Sequence, residues 1–218
     1  PPPALSACLV GSEMCLRDRA LAAGGEVYQP AKGSLNGMQV LITGAGGGLG
    51  LESAKRLATA GMDVIICART AEQASDAANQ VKAAAMWVAG RDLAGRVMAA
   101  RLDLADLTSV ESLPHRLQAT LGDEPLRLDA LLLNAGVMAI PERLETASGF
   151  ERQIGVNHLG HFALFSALLP ALHRAPNGFR VISVSSAAHT MAKAKVMEGA
   201  LDSRLDPAPY SAWANYGI

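Results

Sequence analysis

Two neighbouring serines and a late tyrosine are the side chains of this sequence best suited to carbonyl chemistry. Ser185 and Ser186 follow the stretch 180–184, and Tyr216 lies close to the last residue given, Ile218. A serine hydroxyl can polarise a carbonyl by hydrogen bonding, and a tyrosine hydroxyl can give its proton to a developing alkoxide. These residue types could therefore assist hydride transfer to a carbonyl, provided that a hydride donor is held beside them.

A glycine-rich stretch near the start of the chain could bind the phosphates of such a donor. Residues 43–50 read Thr-Gly-Ala-Gly-Gly-Gly-Leu-Gly and directly follow the apolar run 38–42. A turn between a buried strand and a helix lets backbone N–H groups approach a pyrophosphate at the helix N-terminus, where the helix dipole favours negative charge. The stretch predicts a dinucleotide-binding turn.

The residue that follows the second predicted strand indicates which dinucleotide is bound. An acidic residue there would accept hydrogen bonds from a ribose diol and would repel a 2′-phosphate. This sequence has Arg69 instead, and a guanidinium can bind a phosphate through two parallel hydrogen bonds. We therefore predict NADP (NADPH) as the cofactor; the alternative for Arg69 is a solvated surface arginine.

Further motifs follow the glycine turn in a fixed order. Together they resemble the short-chain dehydrogenase/reductase family over roughly residues 35–218. Asn-His-Leu-Gly-His-Phe and Val-Ser-Ser-Ala-Ala-His are similar to its retinol-dehydrogenase-like and protochlorophyllide-reductase-like branch. The motifs are Asp103-Leu104, Leu133-Asn134-Ala135-Gly136, Asn157-His158-Leu159-Gly160-His161-Phe162, Ser185-Ser186 and Tyr216-Gly217.

The resemblance implies a set of cofactor-binding residues. Thr43 would hold the turn by a hydrogen bond rather than touch the cofactor, Asp103 would contact adenine, and Asn134 would stabilise the junction after the fourth strand. Two alternatives stay open: Asp103 could cap a helix together with Asp106, and Leu104 could belong to the core. The full set is Thr43, Gly44, Gly48, Leu49, Gly50, Arg69, Asp103, Leu104, Asn134, Ala135 and Gly136.

The resemblance also implies the catalytic roles. Tyr216 would donate the proton, and Ser186, the second serine of the pair, would polarise the carbonyl. Asn157 would bend its helix and hold a water that links a lysine to solvent. The family places that lysine four residues after the tyrosine, beyond Ile218, where its ammonium would lower the pKa of the tyrosine. Tyr210 is the competing tyrosine, but no lysine follows it at that spacing.

Two other chemistries are not supported by the sequence. His158 and His161 lie three residues apart and could ligate a metal, but no third ligand is apparent, so no metal is predicted. A serine hydrolase is excluded because Ser186 lacks a Gly-x-Ser-x-Gly elbow.

The alternation of strand and helix patterns predicts an α/β fold, a Rossmann-like doubly wound parallel sheet that is C-terminally incomplete. We expect an N-terminal extension at 1–34 and the dinucleotide-binding domain at 35–218. An inserted loop is predicted at 85–95 and a bend at Pro170. The strands are predicted at 38–43, 63–68, 96–102, 128–134 and 179–185, and the helices at 49–60, 70–84, 108–121 and 149–173.

Composition narrows the cellular setting and the partners. The formal net charge of -1 gives no electrostatic case for nucleic acid. The three cysteines form no disulfide framework, so we expect a reducing intracellular compartment, either the cytoplasm or an organelle such as a plastid, and no secretion. The weakly charged stretches 33–51 and 153–173 are interrupted by glycines, polar residues or proline, so no transmembrane span is predicted.

The function expected from these features is an NADP-dependent oxidoreductase that acts on a carbonyl or alcohol of an apolar small molecule. One alternative is a protochlorophyllide-type double-bond reductase. Another is a catalytically silent, reductase-like subunit of a larger, organellar complex. Partners beyond the substrate would be a second copy of the chain or such a complex.

Overall fold

A computed structural model describes residues 29–186 and 210–216, which contain five parallel strands in the order β3-β2-β1-β4-β5. The predicted Rossmann-like α/β fold is confirmed, although most of the predicted extension 1–34 lies outside the described residues. The strands are β1 Gln39–Thr43, β2 Asp63–Ala68, β3 Val97–Arg101, β4 Ala130–Leu133 and β5 Arg180–Ser183.

Seven α-helices and one π-helical segment accompany the strands within the described ranges. The π-helical segment, Gly155–Gly160, joins α5 to α6. The helices are α1 Gly48–Thr59, α2 Ala71–Ala89, α3 Leu107–Glu111, α4 Leu113–Leu121, α5 Arg152–Ile154, α6 His161–Leu172 and α7 Ala212–Tyr216.

The sheet has its topological switch point at β1. Ile42 of β1 pairs with Ile66 of β2 on one side and with Leu132 of β4 on the other. The chain leaves β1 toward one edge of the sheet and later returns to its other side. In doubly wound sheets, ligands bind in the crevice at the carboxyl ends of the strands at such a point. The fold therefore directs attention to the ends of β1 and β4.

Strands β1 and β2 are buried on both faces, because successive strand residues point to opposite sides of the sheet and helices pack against each side. Leu41 and Ile65 pack with α6 residues such as Leu164, while Val40 packs with alanines of α1 and α2. Fully burying one such leucine contributes about 1.5–3 kcal/mol. Burial also raises the pKa of the Cys67 thiol to about 12, so this cysteine remains protonated and packs as an apolar residue.

Two predicted boundaries are wrong. Helix α2 continues to Ala89, into the loop predicted at 85–95, because the alanine-rich stretch 83–85 favours helix. Gly90, whose φ is +83°, caps its C-terminus. The single helix predicted at 108–121 is divided at Ser112. Pro114 lies in the first turn of α4, where the missing N–H of a proline costs no helical hydrogen bond.

The helix predicted at 149–173 is present but irregular. Its central turn is the π-helical segment, and Pro170 lies within α6. The stretch Arg152–Leu172 is long and apolar enough to cross a membrane, judged by length and composition alone. Leu164 and Leu168 of this stretch are fully buried against the sheet, and a core helix satisfies the same criterion.

Candidate functional site

The glycine turn lies against the end of β4 at distances that exclude side chains. A Cβ on Gly44 would lie 2.7 Å from the Cα of Ala135, and one on Gly50 would lie 2.6 Å from the Nδ2 of Asn134. Gly44 also has a φ of +65°, which side-chain-bearing residues rarely adopt. These two glycines therefore bring the turn and the β4 end into direct contact.

The start of α1, where the first backbone N–H groups have no acceptor within the helix, borders open space at Gly48. Gly47 is the N-cap residue of α1, and no side-chain hydrogen bond caps this end of the helix among the described residues. A Cβ on Gly48 would meet nothing within 4 Å. Leu49, in the first helical turn, is exposed. Free N–H groups at a helix N-terminus bind phosphate, so this turn fits the pyrophosphate of a dinucleotide.

Thr43 joins the end of β1 to the end of β4. Its Oγ1 accepts hydrogen bonds from the backbone N–H groups of Asn134 (2.9 Å) and Ala135 (3.0 Å). The Nδ2 of Asn134 donates to the Thr43 carbonyl at 3.0 Å. Because Thr43 is completely buried, it positions the turn and cannot itself contact a bound molecule.

Asn157 fixes the chain that follows β4. Its Oδ1 accepts from the N–H of Val137 (2.8 Å), and its Nδ2 donates to the carbonyl of the same residue (2.9 Å). A Cβ on Gly136 would lie 3.5 Å from the Asn157 Oδ1. Asn157 lies in the π-helical segment, and such segments are frequent at functional sites. Its side-chain amide is committed to Val137, and its role in holding a water stays a prediction.

Arg69 emerges at the same edge of the sheet as the glycine turn. Thr43 pairs with Cys67, so Arg69 lies just beyond the end of β2, next to β1. The side chain is exposed, and no carboxylate within the described ranges forms an ion pair with it. The adjacent Thr70 caps α2 by accepting from the N–H of Gln73. Arg69 is thus available to an anionic group beside the turn.

The Asp103-Leu104 motif lies where β3 leads into α3. The Asp103 carboxylate accepts from the N–H of Ala105 (3.0 Å), while Asp106 caps α3. Leu104 is buried in the core, as one of the two sequence interpretations held. A Cβ on Gly160 would lie 2.4 Å from the Leu104 carbonyl oxygen, so this glycine permits close packing of the π-helical segment.

Ser186 and Tyr216 both follow β5 in the sequence. Ser186 comes shortly after β5, and the N–H of Val184 donates to the Leu133 carbonyl, which continues the β4–β5 pairing toward the serine. Tyr216 is the last residue of α7 and is half-buried, with its ring edge-on to Trp213 at 6.2 Å between centroids.

A buried glutamine that sequence reasoning missed anchors the tyrosine-bearing helix. The Nε2 of Gln153 donates to the Ala212 carbonyl (3.0 Å) and to the Tyr210 hydroxyl (3.1 Å). The Tyr210 hydroxyl in turn donates to the Ile140 carbonyl at 2.6 Å. Tyr210 therefore ties the start of α7 to the loop after β4. A glutamine within an apolar helical pattern was the only sequence signal for this anchor.

The two histidines of the π-helical region differ in environment. His158 is exposed, whereas His161 is buried, with Nε2 2.9 Å from the Thr43 Oγ1 and Nδ1 2.9 Å from the Asn157 carbonyl oxygen. Desolvation by burial lowers the pKa of His161. Within the part of the chain that the structure describes, no three His, Cys, Asp or Glu side chains are grouped as metal ligands.

The sequence profile of the short chain dehydrogenase family matches residues 38–198. This chain belongs to the short-chain dehydrogenase family. A relative from Streptomyces lividans named "Probable oxidoreductase" is 37% identical over 183 residues, which are 84% of this chain and 55% of that protein. Human retinol dehydrogenase 13 is 39% identical over 160 residues, which are 73% of this chain and 44% of that protein.

A solved structure that is similar to this chain carries a cofactor in its name. The Pseudomonas aeruginosa RhlG/NADP active-site complex has a TM-score of 0.58 and 29% identity, and the match covers 84% of this chain and 62% of that one. The chain spans about half the length of the curated relatives that it matches. Family membership assigns the fold and the oxidoreductase class.

Proposed function

We propose that this chain forms the cofactor-binding part of an NADP-dependent oxidoreductase that transfers hydride between nicotinamide and a carbonyl or alcohol of an apolar small molecule. The observation that carries the proposal is the contact between the glycine turn and the β4 end, at the switch point of the sheet. The contact leaves the start of α1 open on the side where a dinucleotide binds in such sheets.

Three parts of the cofactor have counterparts among the described residues. The N–H groups at the start of α1 would bind the pyrophosphate, and Arg69 would bind the 2′-phosphate. The segment Asn134–Gly136, held by Thr43 and Asn157, would lie along the nicotinamide ribose. The bound cofactor supplies the hydride. The similarity of this chain to a solved structure that is named as an NADP active-site complex supports this assignment.

The chain's own residues would handle the proton and the carbonyl. Tyr216 would donate a proton to the oxygen that becomes an alkoxide, and Ser186 would polarise the same carbonyl by a hydrogen bond. The anchor formed by Gln153 and Tyr210 would hold the tyrosine-bearing helix against the loop that follows β4.

An apolar substrate is favoured by the residues beyond β4. Met138 and Leu144 are exposed in the loop between β4 and α5, and Met138 lies two residues beyond the segment assigned to the nicotinamide ribose. Exposed apolar side chains beside a cofactor site provide a surface for an apolar ligand. Retinol dehydrogenase 13, a relative of this chain, is named for an apolar alcohol, which supports the same substrate class.

A pair of glycine substitutions tests the cofactor assignment by equilibrium titration with NADPH. Gly48→Ala and Gly178→Ala both place a Cβ at positive φ, +55° and +79°, and neither Cβ meets an atom within 4 Å. Only Gly48 lies in the turn, which follows the carboxyl end of β1. Gly178 precedes β5 and so lies at the amino ends of the parallel strands. We expect Gly48→Ala to lose NADPH affinity by about 10-fold or more and Gly178→Ala to retain it. Equal affinities in the two variants would contradict the proposal.

A further inference from the structure

The hydroxyl proton of Thr43 has one acceptor at normal hydrogen-bond distance. A hydroxyl offers two lone pairs and one proton, and both lone pairs of Oγ1 receive the N–H groups of Asn134 and Ala135. The Leu132 carbonyl oxygen lies 3.4 Å from Oγ1, beyond the usual O–H···O range of about 2.5–3.0 Å. The Nε2 of His161 lies at 2.9 Å. The Thr43 hydroxyl therefore donates to His161.

His161 can accept this proton in only one tautomer, and its surroundings select that tautomer. The Nδ1 atom lies 2.9 Å from the carbonyl oxygen of Asn157, which can only accept, so Nδ1 carries the ring hydrogen. The side chain is 6% exposed, and burial disfavours the charged ring. A neutral ring with its hydrogen on Nδ1 has a bare Nε2, which faces Thr43.

The resulting hydrogen bonds connect three parts of the candidate site. They run from the Asn157 carbonyl in the π-helical segment, through the His161 ring, to Thr43 at the end of β1. From Thr43 they reach the two amides at the end of β4. With its proton directed at His161, the hydroxyl keeps both lone pairs on these amides. The segment held in this way is the one assigned above to the nicotinamide ribose.

We propose that His161 is a positioning residue for the cofactor: it fixes the end of β4 against the glycine turn through Thr43 and joins both to the π-helical segment through the Asn157 carbonyl. The inference rests on the proposed function, because it requires a dinucleotide at that segment. An apolar residue in place of His161 removes the acceptor for Thr43 and the donor for Asn157. The Asn134–Gly136 segment then loses its fixed position, and cofactor affinity falls.

Equilibrium titration of the full chain with NADPH measures this effect. We expect His161→Leu to weaken binding by about 10-fold, the size of one lost hydrogen bond. His161→Gln supplies an amide oxygen for Thr43 and should restore most of the affinity. His158→Leu is the matched control, because His158 is an exposed histidine three residues before His161, in the adjoining π-helical segment. NADPH affinity that is unchanged in His161→Leu, or equally reduced in His158→Leu, overturns the inference.

A double-mutant cycle shows whether His161 acts through Thr43. Thr43→Val removes the hydroxyl, so His161→Leu in that background should cause little further loss of NADPH affinity. Losses that add independently contradict the inference. Far-UV circular dichroism and the thermal unfolding midpoint of each variant identify any loss that comes from unfolding.

One readout needs neither a substitution nor the cofactor. The ¹⁵N chemical shifts of His161 in the unmutated protein should show hydrogen on Nδ1 and a bare Nε2 at neutral pH. A charged ring or the opposite tautomer overturns the inference. This readout also separates the two claims, because failure of the unmutated protein to bind NADPH and NADH contradicts the proposed function, whereas the tautomer judges the His161 network by itself.

Discussion

Arg69 is the residue that we propose discriminates between NADPH and NADH. It is exposed beyond β2, and no described carboxylate neutralises it. We predict that the protein binds NADPH more tightly than NADH, and that Arg69→Ala narrows this difference by about 1–3 kcal/mol, the scale of a charge-assisted contact. Titration of the unmutated and mutant proteins with both cofactors checks the prediction. Arg91→Ala is the control, because this exposed arginine follows α2 at the far end of that helix. If Arg69→Ala leaves the affinity difference between NADPH and NADH unchanged, Arg69 does not bind the 2′-phosphate.

Tyr216 and Ser186 carry the proposed proton transfer and polarisation. Tyr216→Phe removes the donor hydroxyl but preserves the ring that contacts Trp213, so NADPH binding should persist while turnover falls about 100-fold or more. Ser186→Ala should lower turnover in the same way. Ser185→Ala provides the control, because it removes the hydroxyl of an exposed serine that directly precedes Ser186. Steady-state turnover with an apolar aldehyde gives the answer, and an active Tyr216→Phe enzyme would mean that another group supplies the proton.

At the scale of elements, we expect the junction of β1, β4 and the π-helical segment to contribute stability that depends on pH. Burial lowers the pKa of His161, and the nearby His158 adds to the effect, whereas the Asn157 carbonyl opposes it. In the unfolded chain a histidine titrates near its ordinary pKa of about 6.5. Below that pH the unfolded chain binds more protons than the folded one. The contribution of neutral His161 is therefore complete above about pH 6.5 and is lost as the pH falls through the lowered pKa.

Urea unfolding between about pH 7.5 and about pH 5.5 measures this contribution. Other groups titrate over the same range, so the comparison is with His161→Gln, which has no ionisable ring at this position. We predict that the unmutated protein loses more of its unfolding free energy on acidification than the variant does. Parallel losses in the two proteins would show that His161 is not held neutral by the fold.

The elements themselves were largely predictable, while the contacts between them were not. β2 was predicted with the observed bounds because a parallel strand covered on both faces reads as a continuous apolar run. The glycine turn was recognised from its spacing. In contrast, α2 extends beyond its predicted end at residue 84, because the helix propensity of its alanines outweighs the loop expected there. The partnership of Thr43 with His161 joins residues 118 positions apart, and sequence spacing gives no information on such a distance.

The same limit explains why Gln153 and Tyr210 were not assigned their structural roles. A tyrosine without a lysine one helical turn later was considered only as a failed catalytic candidate. Its hydroxyl instead joins the loop after β4 to the start of α7. Long-range hydrogen bonds of buried polar side chains become visible only when the packing of the helices is known.

At the scale of the whole molecule, the strands of the sheet differ in their exposure to solvent. β1, β2 and β4 lie inside the sheet, whereas all four residues of β5 are exposed, including Val181 at 40% and Ile182 at 45%. An exposed apolar edge strand is a template for association. We predict that a polypeptide of residues 1–218 expressed alone associates with itself. Sedimentation velocity tests this, and a monomeric product would contradict it.

Transfer of deuterium from NADPH to a substrate is the most direct test of the proposed function. The protein would be incubated with an apolar aldehyde and with NADPH that carries deuterium at both C4 positions of the nicotinamide. The alcohol product would be analysed by mass spectrometry. The proposal predicts a product that carries one deuterium from the cofactor, with transfer lost in Tyr216→Phe. An alcohol without deuterium, or no alcohol from any apolar aldehyde despite bound NADPH, would contradict it.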